Sequence, residues 1–215
     1  MLEVVILTVI PELRQKEYDF LLSLISSEKQ ERIKRFRFFR DAQNCLLGDV
    51  LARCEICRTT GLSNQQLEFS TNEFGKPFLI SKPNIHFNIS HAGHYIACAV
   101  SNEPIGIDIE LIKPVDMAIA ERFFTPDETV YIMTGMQEQR FYEIWTKKES
   151  HIKWEGKGLR KPLTSFSVLD DQSNPYYQKV FDNDDAISYT CSFQQTSPCV
   201  RTIDIIPFLH SIKLK

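Results

Sequence analysis

Ile105-Gly106-Ile107-Asp108-Ile109-Glu110-Leu111 reads as a β-strand, an alternating run rich in isoleucine. Side chains on a strand alternate between its faces, so Asp108 and Glu110 share one face. Ile107, Ile109 and Leu111 share the other, which is the core side. Two carboxylates side by side repel unless water or a cation separates them. Magnesium suits them, because it takes oxygen ligands in an octahedron and keeps several waters. Taken alone, the pair fits the solvated face of a half-buried strand better.

This strand opens the second of two stretches with the same order of elements. In the first, Leu2 to Val9 is a strand, and Ser27 with Gln30 forms a capping-box pattern that starts a helix. Residues 41–60 carry Leu46, Leu47, Val50, Leu51 and Cys54 at helical spacing and end at Gly61. Strands follow at Leu67 to Ser70, His86 to Ile89 and Ile96 to Ser101. In the second stretch, Thr125 and Glu128 form a capping box with Pro126 at the first helical position. A helix then runs from Arg140 to Trp154, ended by Gly156 and Gly158. Strands are expected at Ser165 to Leu169, Tyr176 to Phe181, Ile187 to Gln194 and Val200 to Ile206. Nearly equal intervals separate Ser27 from Gly61 and Thr125 from Gly158, and a leucine, Leu62 or Leu159, follows each of these glycines. The expectation is an α+β chain of two similar lobes, 1–104 and 105–215, related by a pseudo-two-fold. A ligand cleft is then expected between them.

The 215 residues are 43% apolar and 25% charged, the composition of an ordinary globular chain. A net charge of −3 argues against a general nucleic-acid coat. The apolar start Met1 to Leu7 lacks basic residues and is cut short by Pro11 and Glu12, so neither a membrane span nor a signal peptide is expected. The reading is cytoplasmic, with no membrane or nucleic-acid partner. Among six cysteines, Cys54 and Cys57 form one CxxC inside a helix, and Cys191 with Cys199 does not supply a matching second pair. Reduced thiols are the reading.

The helix Trp145-Thr146-Lys147-Lys148-Glu149-Ser150-His151-Ile152-Lys153-Trp154 places Trp145, Glu149 and Lys153 on one face, four residues apart. Gly156-Lys157-Gly158 follows, a loop that lets backbone approach a ligand. Three further segments offer anion or ring contacts: Lys29 and Arg32 near a helix start, Phe74-Gly75-Lys76-Pro77 in a turn, and Asn88-Ile89-Ser90-His91-Ala92-Gly93 at a strand end. Each alone fits a surface turn or a solvated helix face.

In this order, Phe74-Gly75-Lys76-Pro77, Phe87-Asn88-Ile89-Ser90-His91, Gly106-Ile107-Asp108-Ile109-Glu110, Phe123-Phe124-Thr125 with Glu128, Trp145-Thr146-Lys147-Lys148-Glu149-Ser150 with Lys153, and Gly156-Lys157-Gly158-Leu159 resemble the 4'-phosphopantetheinyl transferases of the long, surfactin-type branch. The likeness runs from Ser27 to Ser167. It implies two pseudo-symmetric lobes in one chain, acting as a monomer. It implies transfer of the phosphopantetheine arm of coenzyme A to a serine of an apo peptidyl, acyl or aryl carrier, in the service of peptide-antibiotic or related synthesis. Asp108, Glu110 and Glu149 would hold magnesium, with manganese as the alternative. Lys153 would contact the pyrophosphate, and Lys76 with Pro77 would sit against the adenine. Ser90, His91, Lys29 and Arg32 would hold the phosphates. Lys148 would line the same pocket, and Glu128 would orient the site. Glu149 and Lys153 would carry the proton transfers. Asn44 stands where many members carry arginine, and it lacks a guanidinium fork.

Two rival readings remain at this stage, a magnesium-dependent phosphodiester hydrolase and a carrier-binding module without catalysis. The segment Ile112 to Ile119 is either core or a carrier-docking edge, and an exposed Met117 would mark the second.

Overall fold

A computed structural model describes residues 1–10, 12–169 and 175–212, with only the backbone of Leu159. The chain begins with β1 (Leu2–Thr8), followed by α1 (Gln15–Leu22), α2 (Ser27–Ile33) and α3 (Phe39–Thr60). A short hairpin, β2 (Phe69–Thr71) and β3 (Pro77–Leu79), precedes β4 (His86–Ala92) and β5 (Tyr95–Ser101). The second stretch has β6 (Ile105–Leu111), α4 (Ala118–Phe123), α5 (Pro126–Met133), α6 (Gln137–Glu155), β7 (Tyr176–Asp182) and β8 (Ala186–Ser192). The last described elements are β9 (Cys199–Asp204) and α7 (Ile205–Ser211).

The strands form an antiparallel trio β1-β5-β4 and a second antiparallel trio β6-β8-β7. In each trio the first strand pairs with the third and the third with the second, so both stretches build one topology from one order of elements. Period-two alternation sorts the side chains. Val5 and Leu7 of β1 pack with Leu46, Leu47, Val50 and Leu51 of α3 on one face of the first sheet. Val4 and Ile6 pack on the other face against Ile105, Ile107 and Ile109 of β6. The two sheets therefore meet face to face, with α3 outside one and α6 outside the other.

Several boundaries differ from the sequence expectation. The cap of α2 is Ser26, whose hydroxyl accepts from Lys29 N, and not Ser27. Helix α6 ends at Gly156, in the left-handed conformation with φ 69°, and Gly158 opens a short 3-10 turn. The repeat therefore rests on strand order and not on the glycine intervals. Residues 165–169 form no strand. Val168 N donates to Glu128 Oε1 and Phe166 O accepts from Lys148 Nζ, so buried side chains satisfy this backbone in place of a ladder. The strand expected from Val200 pairs in parallel with β1, from Glu3–Cys199 to Thr8–Asp204, and so joins the first sheet. Among the described residues no helix is long and apolar enough to cross a membrane.

Candidate active site

Strand β6 turns Asp108 and Glu110 toward α6, since Ile107 and Ile109 fill the space between the sheets. Gly106 sets how close the helix comes. A Cβ there would lie 2.0 Å from Ser150 O and 2.5 Å from Trp154 N, so only glycine lets α6 rest on the strand backbone. That contact lays the stripe Trp145, Glu149, Lys153 along the acidic face. Trp145 Nε1 donates to Glu110 Oε1 at 3.2 Å, and Lys153 Nζ donates to Asp108 Oδ1 at 2.7 Å.

The third contributor is β4. Asn88 Oδ1 accepts from Ile107 N at 2.8 Å, which fastens the edge of the first sheet to the edge of the second. Two residues on, Ser90 Oγ donates to Asp108 Oδ1 at 2.8 Å and accepts from Lys153 Nζ at 2.7 Å. Three elements distant in sequence thus meet in one knot of Ser90, Asp108 and Lys153.

Around the knot, the carboxyls of Asp108, Glu110 and Glu149 outnumber the one ammonium of Lys153. Asp108 is 3% exposed, and its Oδ2 has no hydrogen-bond partner. Burial, then the Asp108 charge, pushes Glu110 up to about 7. The same two causes raise Glu149, against the pull of Lys153. As they stand, no three His, Cys, Asp or Glu side chains among the described residues form a metal-holding group. Magnesium does not require a finished cage, because it takes one or two carboxylates and completes its shell with water and substrate phosphate. The unpaired Asp108 Oδ2 and two carboxyls strained toward protonation fit such an ion.

The remaining candidates divide. Lys29 and Arg32 on α2 line a cleft of about 370 Å³ with Gly75, Pro77, Phe69 and Phe87. Lys29 Nζ rests on Asp49 Oδ2 at 3.1 Å, and Arg53 holds the same carboxylate at 2.6 Å. His91 is exposed at the end of β4; desolvation and then Lys153 lower its pKa, while Asp41 and Asp108 act the other way.

Lys76 and Lys148 are both held by partners inside the protein. The ammonium of Lys76 donates to Lys153 O at 2.6 Å, Ile105 O at 3.1 Å and Trp154 O at 3.3 Å. Its three protons are therefore spent on backbone, and burial brings its pKa down to about 8. Lys148 has no exposure at all and pairs with Glu128 at 2.8 Å, while Leu163 O and Phe166 O take its other protons at 2.7 and 2.6 Å. It stands in the core and not in a phosphate pocket. Glu128 also accepts from Thr125 N at 2.8 Å, so it organises the packing of α5. Asn44 is buried, and its Nδ2 donates to Gly93 O at 3.1 Å. Met117 is half-buried against the cluster of Ala120, Phe124 and Ile144, which places it with the core.

Sequence reasoning missed Asn72. Its Oδ1 accepts from Phe74 N and Lys76 N at 3.0 and 2.9 Å, and its Nδ2 donates to Gly156 O at 2.8 Å. An asparagine two residues before Phe74-Gly75 is the signal for such a turn. Among the described residues no group of three His, Cys, Asp or Glu that could hold a metal includes the CxxC; burial raises Cys57 and pushes Cys54 up to about 12, which favours the thiol form.

Residues 12–103 match the family model for the N-terminal part of 4'-phosphopantetheinyl transferases, and residues 104–202 match that of the 4'-phosphopantetheinyl transferase superfamily. The chain is 43% identical over 186 residues to 4'-phosphopantetheinyl transferase Sfp of Bacillus subtilis strain 168, covering 80% of this chain and 83% of that one. It is 46% identical over 159 residues to 4'-phosphopantetheinyl transferase ffp of Bacillus subtilis, covering 73% and 71%. It is 38% identical over 182 residues to 4'-phosphopantetheinyl transferase gsp of Aneurinibacillus migulanus, covering 83% and 76%.

Proposed function

The chain belongs to the 4'-phosphopantetheinyl transferase superfamily, and on that premise we infer how its site moves the 4'-phosphopantetheine arm of coenzyme A onto a carrier-protein serine. The observation that carries the reading is the knot of Ser90, Asp108 and Lys153 with Asp108 Oδ2 left unpaired. One ammonium facing a cluster of three carboxylates suits a site that takes in both a cation and a pyrophosphate.

Lys29 and Arg32 bind the 3'-phosphate in the 370 Å³ cleft, and Pro77 supports the adenine. Ser90, which accepts from Lys153, and the adjacent His91 steady the pyrophosphate. Asp108, Glu110 and Glu149 would hold magnesium, or manganese in its place, and the ion would supply charge neutralisation and polarisation of the pyrophosphate. Glu149 takes the proton of the carrier serine. The serine oxygen bonds to the phosphorus bearing the pantetheine, and the bond from that phosphorus to the oxygen of the adenosine bisphosphate breaks. Lys153 meets the charge that develops on the leaving phosphate and can return a proton to it.

The lobes are taken as 1–104 and 105–215, with β9 and α7 of the second stretch returning to the first sheet and its core, and a monomer is sufficient because every group in the knot comes from one chain. The carriers are those of peptide-antibiotic or related synthesis, and the working compartment is the cytoplasm, without nucleic acid or membrane. The test is incubation of the protein with an apo-carrier, coenzyme A and magnesium, read by intact mass. A gain of one phosphopantetheine on the carrier is expected, with release of adenosine 3',5'-bisphosphate. Breakdown of coenzyme A with the carrier unchanged would instead make it a hydrolase, and binding without turnover a carrier module.

A further inference from the structure

The hairpin turn between β2 and β3 reaches across to the far end of α6. The last carbonyls of a helix have no partner within it. In α6 they find partners in this turn: Lys76 Nζ takes Lys153 O and Trp154 O, and Asn72 Nδ2 takes Gly156 O. A cation at a helix C-terminus also sits favourably against the macrodipole. The lysine further reaches Ile105 O, at the start of the strand that carries Asp108. Both elements of the acidic site are thus clamped by one ammonium. A Cβ on Gly156 would lie 2.9 Å from Lys76 Cδ, so the stem of the lysine also packs against the helix end.

The same turn of α6 carries Lys153, whose own ammonium bonds Ser90 and Asp108. The neighbours of Lys76 in sequence, Gly75 and Pro77, line the cleft with Lys29 and Arg32. The turn therefore touches the proposed nucleotide cleft through Gly75 and Pro77, and the catalytic helix through the side chains of Asn72 and Lys76. We propose that Lys76 is a positioning residue, which fixes the last turn of α6 so that Lys153 is aimed at the reacting pyrophosphate, and which contributes to turnover without contributing charge to coenzyme A binding. The proposal rests on the transferase reading above. It assigns Asn72 the same task through Gly156.

Lys76→Met keeps the stem and removes the donors, and Lys76→Arg keeps donors and charge. With an apo-carrier and magnesium, Lys76→Met lowers kcat at least tenfold, while the Kd for adenosine 3',5'-bisphosphate, read by calorimetry, stays within about twofold. Lys76→Arg recovers part of kcat. In a Lys153→Ala background, Lys76→Met costs little more, because the group it aims is already gone. Hydrogen exchange of the amides of residues 153–156 rises in Lys76→Met while the rest of α6 is unchanged, a readout that needs no turnover. A loss of affinity for the bisphosphate equal to the loss of kcat, full additivity with Lys153→Ala, or unchanged exchange at 153–156 overturns the proposal. A wild-type protein that modifies no carrier overturns the transferase reading instead, and the exchange experiment then still decides whether Lys76 holds the helix end.

Discussion

Lys148 and Glu128 form an ion pair at 2.8 Å in which neither side chain is reached by solvent. Lys148 stands beside Glu149 in sequence, but it faces a different side of α6, toward Phe166 and Leu163. Burial pulls its pKa down, and Glu128 pulls it back up. Breaking a buried pair leaves one uncompensated charge, at a cost of about 3–5 kcal/mol. Lys148→Met should therefore lower the stability measured by urea denaturation by about that amount. Lys148→Met with Glu128→Gln should be less damaging than Lys148→Met alone, because no charge is then stranded. If the single variant retains full stability, the pair is not the anchor of α6.

Metal binding and proton transfer separate by substitution. Asp108→Ala should weaken magnesium binding, and excess magnesium should restore part of the rate. Glu149→Gln keeps one oxygen for a metal but loses the base, which should cost about 10²–10⁴ in kcat. Excess magnesium should not recover that loss. Lys153→Ala should lower kcat as well, because a cation matters most as charge builds on the leaving phosphate. The measurement is kcat against magnesium concentration with one carrier. Full recovery of Glu149→Gln at high magnesium would make Glu149 a ligand only.

The 3'-phosphate should be felt through Lys29 and Arg32. Dephospho-coenzyme A should bind more weakly by about 1.5–3 kcal/mol, the value of charge-assisted hydrogen bonds. With Lys76 and Asn44 both bonded to backbone, the loss should lie at the lower end. Calorimetry with the two cofactors checks it, and equal affinities would remove the dedicated pocket.

Gly106 should tolerate no side chain. Alanine there would drive a methyl group into Ser150 O, and α6 would have to lift from β6. Overpacking of this kind costs about 1–3 kcal/mol. The thermal midpoint should fall, and activity should fall further than stability accounts for, since Lys153 and Glu149 move with the helix. Wild-type kcat in Gly106→Ala would show that the helix does not need this contact.

The acidic face of β6 was legible because strand alternation needs only local sequence, and the structure puts Ile107 and Ile109 on the opposite side as period two requires. The stripe Trp145, Glu149, Lys153 was legible for the same reason at helical period. What local sequence does not encode is the partner across space. Ser90 and Asp108 meet only because Asn88 joins two sheet edges. Lys76 reads as an exposed cation in a turn, and nothing within the turn reveals the helix end that takes its protons. Lys148 reads by resemblance as a pocket-lining residue until the core position of its side chain and the partner Glu128 are both known. The segment 165–169 has the composition of a strand, but side chains from α5 and α6 took up its backbone groups first.

Strand β9 closes the outer edge of the first sheet by lying beside β1, almost two hundred residues earlier in the chain. During synthesis, β1 leaves the ribosome with that edge uncovered and keeps it so until residues 199–204 have emerged. An unpaired edge invites pairing with other chains. Until then the nascent protein is open to mispairing at β1, and a transcript truncated before Cys199 would yield a product with that edge permanently bare.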